Sequence, residues 1–322
     1  MNIGILGLGV IGTTYGFIFQ QSGHNVEHLV RNQKRVSSPA QLSVHLLDGR
    51  YNQKGEEKDD TYEVAYARPD TNYDLIVVSV ANGALQGAVD TISENRLSGT
   101  ILLFCNFWNT RAEIDSIMGT RPYIIGFPTA GGHLDNQRLN GALFDHIMLE
   151  SREKANIPNY ADLLALLESA DIKAEIPHDM AEWIWLHMAI NAGVTSTAAQ
   201  HGDLSDPRRL ALNLMTNAHA LAEAVRTIRE TVKVVSARGV DLHRYRDELL
   251  PYRIPAWIAG AMMKKMFASN ELTRRIMTLH SDVRDILYGC ECVYRTAREK
   301  HVDAPRYLRK MDNILAVSQA AR

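Results

Sequence analysis

The stretch NIGILGLGVIGTTYGFIFQQ, residues 2–21, decides the fold. It opens with an isoleucine- and leucine-rich run, the pattern of a strand buried on both faces. Gly7-Leu8-Gly9-Val10-Ile11-Gly12 follows at once, and a helical stretch over about 10–22 starts inside it. A GxGxxG alone is a weak signal. Between a strand and a helix, at the start of a βαβ unit, it has a defined mechanism. Gly7 permits the tight turn, Gly9 lets backbone amides approach a pyrophosphate, and Gly12 lets helix and strand pack closely. Leu8, Val10 and Ile11 complete the loop, and the helix N-terminus offers partial positive charge to the anion. The bland alternative is a glycine-rich turn without a nucleotide.

The following residues continue the pattern. NVEHLV (25–30), LSVHLLDG (42–49), TYEVAYA (61–67), YDLIVVSV (73–80), TILLFCNF (100–107) and PYIIGFP (122–128) read as strands. The second and third of these look short and irregular. HIMLES (146–151) reads as an added edge strand, and GFPTAGGHLD (126–135) as a glycine-rich loop or turn near the site. Strands alternating with helices predict an α/β Rossmann domain with a doubly wound parallel sheet. Beyond Pro177 strand signals fade, and helical patterns run over 179–199, 206–238, 255–268, 271–300 and 306–319. The expected organisation is a dinucleotide-binding domain over 1–177 and an all-helical domain over 178–322, carrying the substrate face and a possible dimer contact.

Composition narrows the function. A chain of 322 residues with 46% apolar and 22% charged residues is ordinary for a globular protein of two domains. A net charge of −2 gives no electrostatic case for nucleic acid or an anionic membrane. The apolar N-terminus lacks a basic leading region and is broken by glycines, so neither a signal peptide nor a membrane span is expected. Cys105, Cys290 and Cys292 form neither a disulfide framework nor a metal-ligand set, which fits the cytoplasm.

The end of the second strand selects the dinucleotide. An NAD enzyme usually places a carboxylate there to accept from the ribose 2′-OH. This chain reads LVRNQKR, with Arg31, Lys34 and Arg35. A guanidinium at Arg31 can bind a 2′-phosphate through paired hydrogen bonds, so NADP is the expected cofactor. Solvated surface charge is the plainer reading of Lys34 and Arg35.

Taken with AEWIWLHMAINAGVTS (181–196) and DILYGCECVYRTAREKHVDAP (285–305), these features resemble the ketopantoate (2-dehydropantoate) reductase family over nearly the whole chain. The resemblance implies NADPH-dependent reduction of a 2-oxo acid to a 2-hydroxy acid, in a cleft between the two halves. His187 stands where the family carries its catalytic lysine, and Asn191 matches the asparagine that follows. Thr195 replaces a second asparagine, Ala81 (followed by Asn82) a second lysine, and Asn106-Phe107 an asparagine-glycine pair. Asp285 corresponds to the family's late glutamate. The loss of two lysines argues for a substrate other than ketopantoate.

These departures define the candidate site. His187 suits proton donation, because its ordinary pKa of about 6.5 lies near neutrality; a hydrogen-bonded core histidine is the bland reading. Asn191 and Asn106 can orient substrate, donor or nicotinamide, although asparagine at a strand end often satisfies a turn. Asp285 can bind a substrate hydroxyl or amine, or simply be exposed, and His280 with Asp282 lies within reach along the same helix. Trp183, Trp185 and Trp108 read as packing aromatics, with Trp108 nearest the site. Three functions stay open: a reductase of small 2-oxo acids, an opine-type imine-reducing or hydroxyacyl dehydrogenase, and an NADP-binding sensor without turnover.

Overall fold

The computed structural model describes residues 1–30, 39–81, 83–135, 137–155, 157–279 and 283–320. The chain divides into two compact units, Met1–Ala181 and Glu182–Arg322.

The first unit is built on one ten-stranded sheet. Its strands are β1 (Asn2–Leu6), β2 (Asn25–Leu29), β3 (Gln41–Asp48), β4 (Glu56–Glu63), β5 (Ala65–Tyr66), β6 (Asn72–Val78), β7 (Ser98–Phe104), β8 (Tyr123–Asp135), β9 (Arg138–Leu149) and β10 (Lys173–Glu175). The order is β4-β3-β9-β8-β7-β6-β1-β2-β5, with β10 also on β9. From β5 to β8 every pairing is parallel. Ile3, Ile5, Leu75, Val77, Ile101 and Leu102 are fully buried, as a sheet covered on both faces requires. Helix α1 (Val10–Gln21) packs on this sheet, placing Tyr15 edge-on against Phe104, with ring centroids 5.0 Å apart. Among the described residues the other helices of this unit are α2 (Leu85–Glu94), α3 (Arg111–Met118), α4 (Arg152–Ala155) and α5 (Tyr160–Ser169).

Beyond β8 the sheet departs from the purely parallel expectation, since β8 with β9 and β3 with β4 are antiparallel. Residues 126–135 are strand, not loop. Their glycines mark a close cross-strand approach: a Cβ on Gly132 would lie 2.4 Å from the Asn140 carbonyl oxygen. The strand around 146–151 is not at an edge either. It is the end of β9, which pairs with β8 on one side and with β3 and then β10 on the other. The irregular strands expected over 42–49 and 61–67 form a hairpin of two eight-residue strands, β3 and β4, followed by the short β5. At one edge of the sheet, β4 exposes Glu57, Asp59 and Asp60, charges that oppose pairing with another chain.

In the second unit, α6 (Met180–Ala198) leads into α7 (Pro207–Thr216), α8 (Ala218–Ala237), α9 (Arg246–Arg253), α10 (Ala256–Ser269), α11 (Glu271–Leu279), α12 (Val283–Glu299) and α13 (Pro305–Ala320). The helix expected over 206–238 is two. Asn217 leaves helical geometry (φ −112°, ψ 101°) and its side chain caps α8 by accepting from the amides of His219 and Ala220. Close crossing of α6 and α8 depends on Gly193, where a Cβ would sit 2.7 Å from Ile228 Cγ1 and 2.9 Å from its Cα. Lys310 is buried behind this crossing, its ammonium held by Thr227 at 2.6 Å, Thr197 at 3.0 Å and Glu223 at 3.1 Å. Among the described residues no helix is long and apolar enough to cross a membrane.

Candidate functional site

The glycine loop leaves the carboxyl end of β1, between neighbours β2 and β6. Sheets of this kind bind ligands beyond the carboxyl ends of their strands, where the chain order reverses. Gly7 has φ +94°, open to glycine and strained for other residues, and its amide donates to the Leu29 carbonyl at 2.8 Å. Gly9 precedes α1 with extended backbone, and a Cβ there would meet no atom within 4 Å. A Cβ on Gly12 would lie 3.0 Å from Ile5 Cγ2, so that glycine sets the helix-to-strand approach. The first turn of α1 carries no acidic side chain and no side-chain cap. Its unsatisfied amides and dipole suit an anion.

Asn106 follows β7, two strands over from β1 at the same edge of the sheet. Its Oδ1 is buried without a hydrogen-bond partner. Such orphaned acceptors are uncommon and point to a missing donor. Arg31, Lys34 and Arg35 lie outside the described residues, as do Asn82, His280 and Asp282.

One residue that matters to this loop was missed by sequence reasoning. His28, fully buried on β2, donates from Nδ1 to the Gly7 carbonyl at 2.8 Å, and Tyr62 donates to its Nε2 at 2.7 Å. Burial pulls its pKa down to about 4, so the ring is neutral. A lone histidine in a strand gives no local signal, and its partners lie 21 and 34 residues away.

In the helical unit, Trp183, His187 and Asn191 recur every four residues and so share one face of α6. The Trp183 and His187 rings stack at 5.2 Å between centroids with planes 12° apart. Asn191 donates from Nδ2 to His187 Nε2 at 2.8 Å. That bond leaves the imidazole proton on Nδ1. Burial draws the His187 pKa down to about 4 although the residue keeps some exposed surface, so the ring is neutral near pH 7.

Another face anchors the helix. Glu182 accepts from the Tyr245 hydroxyl at 2.7 Å, and Arg238 lies over the Trp185 ring at 3.8 Å. Trp185 is therefore a packing residue.

Helix α12 crosses α6 at Gly289, where a Cβ would lie 3.5 Å from Met188 Cε. Asp285 sits one turn before Gly289 and partly buried, which puts it on the helix facing the residue next to His187. Cys290 and Cys292 are free and buried; burial raises the Cys290 pKa to about 12, so it is not a thiolate. Cys105 is likewise buried and lies outside any disulfide. Among the described residues no cluster of metal-ligating side chains occurs.

Residues 3–143 match the family model described as ketopantoate reductase PanE/ApbA. No curated protein sequence matches the chain. Solved structures share the fold over nearly the whole chain. A dimeric ketopantoate reductase from Staphylococcus aureus is 13% identical at a TM-score of 0.62, covering 98% of this chain and all of that one. D-mandelate dehydrogenase, in a ternary structure with NADH and anilino(oxo)acetate, is 15% identical at 0.63, covering 99% of both chains. Yersinopine dehydrogenase with NADP+ bound is 11% identical at 0.65, covering 99% of this chain and 91% of that one.

Proposed function

We propose that this protein is an NADP-dependent reductase of a small 2-oxo acid other than ketopantoate. The observation that carries the reading is the bonded His187–Asn191 pair, standing where the resemblance puts a proton donor, in a chain whose residues 3–143 match the ketopantoate reductase family model. The residues present fit a dinucleotide. Gly9 leaves open space, α1 is uncapped, and Asn106 holds a buried unmatched acceptor. A bound nicotinamide dinucleotide would supply the hydride. Arg31 would select the 2′-phosphate, and the loop from Gly7 to Gly12 would take the pyrophosphate.

The chain's own residues then handle the proton and the substrate. As the carbonyl carbon gains hydride, its oxygen must gain a proton, and His187 is the group assigned to deliver it. A substrate carboxylate beside the imidazole would raise its pKa from about 4 toward neutrality, because an opposite charge favours the cation. Asn191 holds the ring and Trp183 stacks on it, while Asp285 is assigned to a hydroxyl or amine of the substrate. The named dimer among the structural relatives and the exposed Trp257 on α10 support a homodimer.

A second reading has its own support. The absence of the family's lysines, together with the likeness to yersinopine dehydrogenase, favours imine reduction as the alternative. NADPH oxidation followed at 340 nm across a panel of 2-oxo acids, with and without amino acids, separates the two. Turnover with oxo acid alone supports carbonyl reduction; a strict amine requirement supports imine reduction. No turnover with any combination leaves only a nucleotide-binding role.

A further inference from the structure

We propose that His28 is the positioning residue of the glycine loop: it turns the Gly7 carbonyl into the sheet and away from the anion end, with Tyr62 fixing its tautomer. The inference rests on the reading of this loop as a dinucleotide site.

Both polar groups of Gly7 are tied to β2. The amide donates to the Leu29 carbonyl at 2.8 Å, and the carbonyl accepts from His28 Nδ1 at 2.8 Å. A carbonyl can only accept, so Nδ1 must carry the ring's hydrogen. A neutral imidazole then offers Nε2 as an acceptor, and the Tyr62 hydroxyl fills it at 2.7 Å. With Nδ1 and Nε2 exchanged in role, an acceptor would face the carbonyl. Tyr62, fully buried on β4, therefore specifies the useful tautomer.

Packing leaves the ring no other place. It meets the Tyr62 ring edge-on at 5.7 Å and 73°. Helix α1 passes so close that a Cβ on Gly16 would lie 3.0 Å from His28 Nε2 and 2.6 Å from the Tyr62 oxygen. Gly7, at φ +94°, is conformationally permissive, so its peptide needs an external hold. An unheld carbonyl oxygen turned outward would put partial negative charge against a pyrophosphate. Tied to His28, it leaves the amides of the first turn of α1 as the polar groups at that end.

The test uses the full chain with three substitutions, His28→Phe, His28→Asn and Tyr62→Phe. Binding of NADPH and of adenosine 2′-monophosphate, which lacks a pyrophosphate, is read by calorimetry. Circular dichroism confirms the fold. His28→Phe is expected to weaken NADPH tenfold or more and to leave adenosine 2′-monophosphate within twofold. His28→Asn keeps a donor near the place of Nδ1 and should recover most of the loss, and Tyr62→Phe should fall between. The ¹⁵N spectrum of wild type should show His28 protonated at Nδ1. A His28→Phe chain that binds NADPH like wild type overturns this proposal alone, as does equal loss of both ligands. Wild type that binds no dinucleotide overturns the cofactor reading as well.

Discussion

Asn191 donates to His187 Nε2 at 2.8 Å, which makes that nitrogen an acceptor and leaves the imidazole neutral. A family lysine at this position would be a standing cation. On the proposed mechanism, positive charge at this position arises during the reaction or on substrate binding. That difference is the chemical core of the account. His187→Ala should lower kcat/KM by at least about a hundredfold, the usual scale of general acid catalysis. Asn191→Ala, which frees the ring without removing it, should cost less. Steady-state NADPH oxidation with the best oxo acid reads both. Equal rates for His187→Ala and wild type would remove His187 from the mechanism.

The pH profile follows from burial of the same ring. If the protonated form donates, its fraction in the free protein falls tenfold for each pH unit above about 4. The kcat/KM, which reports free-enzyme groups, should then decline as pH rises from 5 to 8. The kcat profile should break nearer neutrality, because bound substrate carboxylate raises the value. A kcat/KM flat across that range in wild type would show that the neutral ring suffices.

Stability should respond to acid in a defined window. The folded-state pKa of His28 is about 4, below an unfolded value near 6.5. Between those values the unfolded chain binds more protons, so stability falls as pH falls from about 6.5 to 4. The full linkage is on the order of 3 kcal/mol, with about 2 kcal/mol of it already lost by pH 5. Urea unfolding at pH 7.5 and pH 5 should show the drop, and His28→Phe should lessen it without abolishing it, because His187, also drawn down to about 4, titrates in the same window. An unchanged slope in that variant would assign the acid sensitivity to other groups.

Much of this was legible where the signal is local. Residues 2–21 announce strand, glycine turn and helix in immediate succession, and β1 and α1 lie there. The four-residue spacing of His187 and Asn191 likewise predicts one face, and they share it, hydrogen-bonded to each other; that Trp183 stacks there too was not foreseen. Failures came where distant residues decide. The glycines of 126–135 look like loop residues, yet Gly132 serves the approach of β9. Asn217 reads as one polar residue in a long helical pattern until its side chain is seen capping α8. His28 acts through Gly7 and Tyr62, a relation with no sequence period. Nor does spacing reveal that burial makes His187 neutral.

Helix crossing sets the position of the proposed donor, and Gly193 sets the crossing. Gly193→Ala drives a methyl against the Ile228 backbone and side chain, at 2.9 and 2.7 Å. Overpacking of this kind costs about 1–3 kcal/mol. Chemical denaturation should find that loss, along with a kcat reduced more than NADPH affinity. A variant as stable as wild type would mean the two helices part without cost.

Binding of NADPH and NADH to purified wild type and to Arg31→Ala, by nucleotide fluorescence or calorimetry, tests the central claim most directly. Wild type is expected to bind NADPH more tightly than NADH, and Arg31→Ala to erase the preference while retaining the dinucleotide. Failure of wild type to bind either nucleotide would contradict the cofactor assignment and the reductase reading built on it.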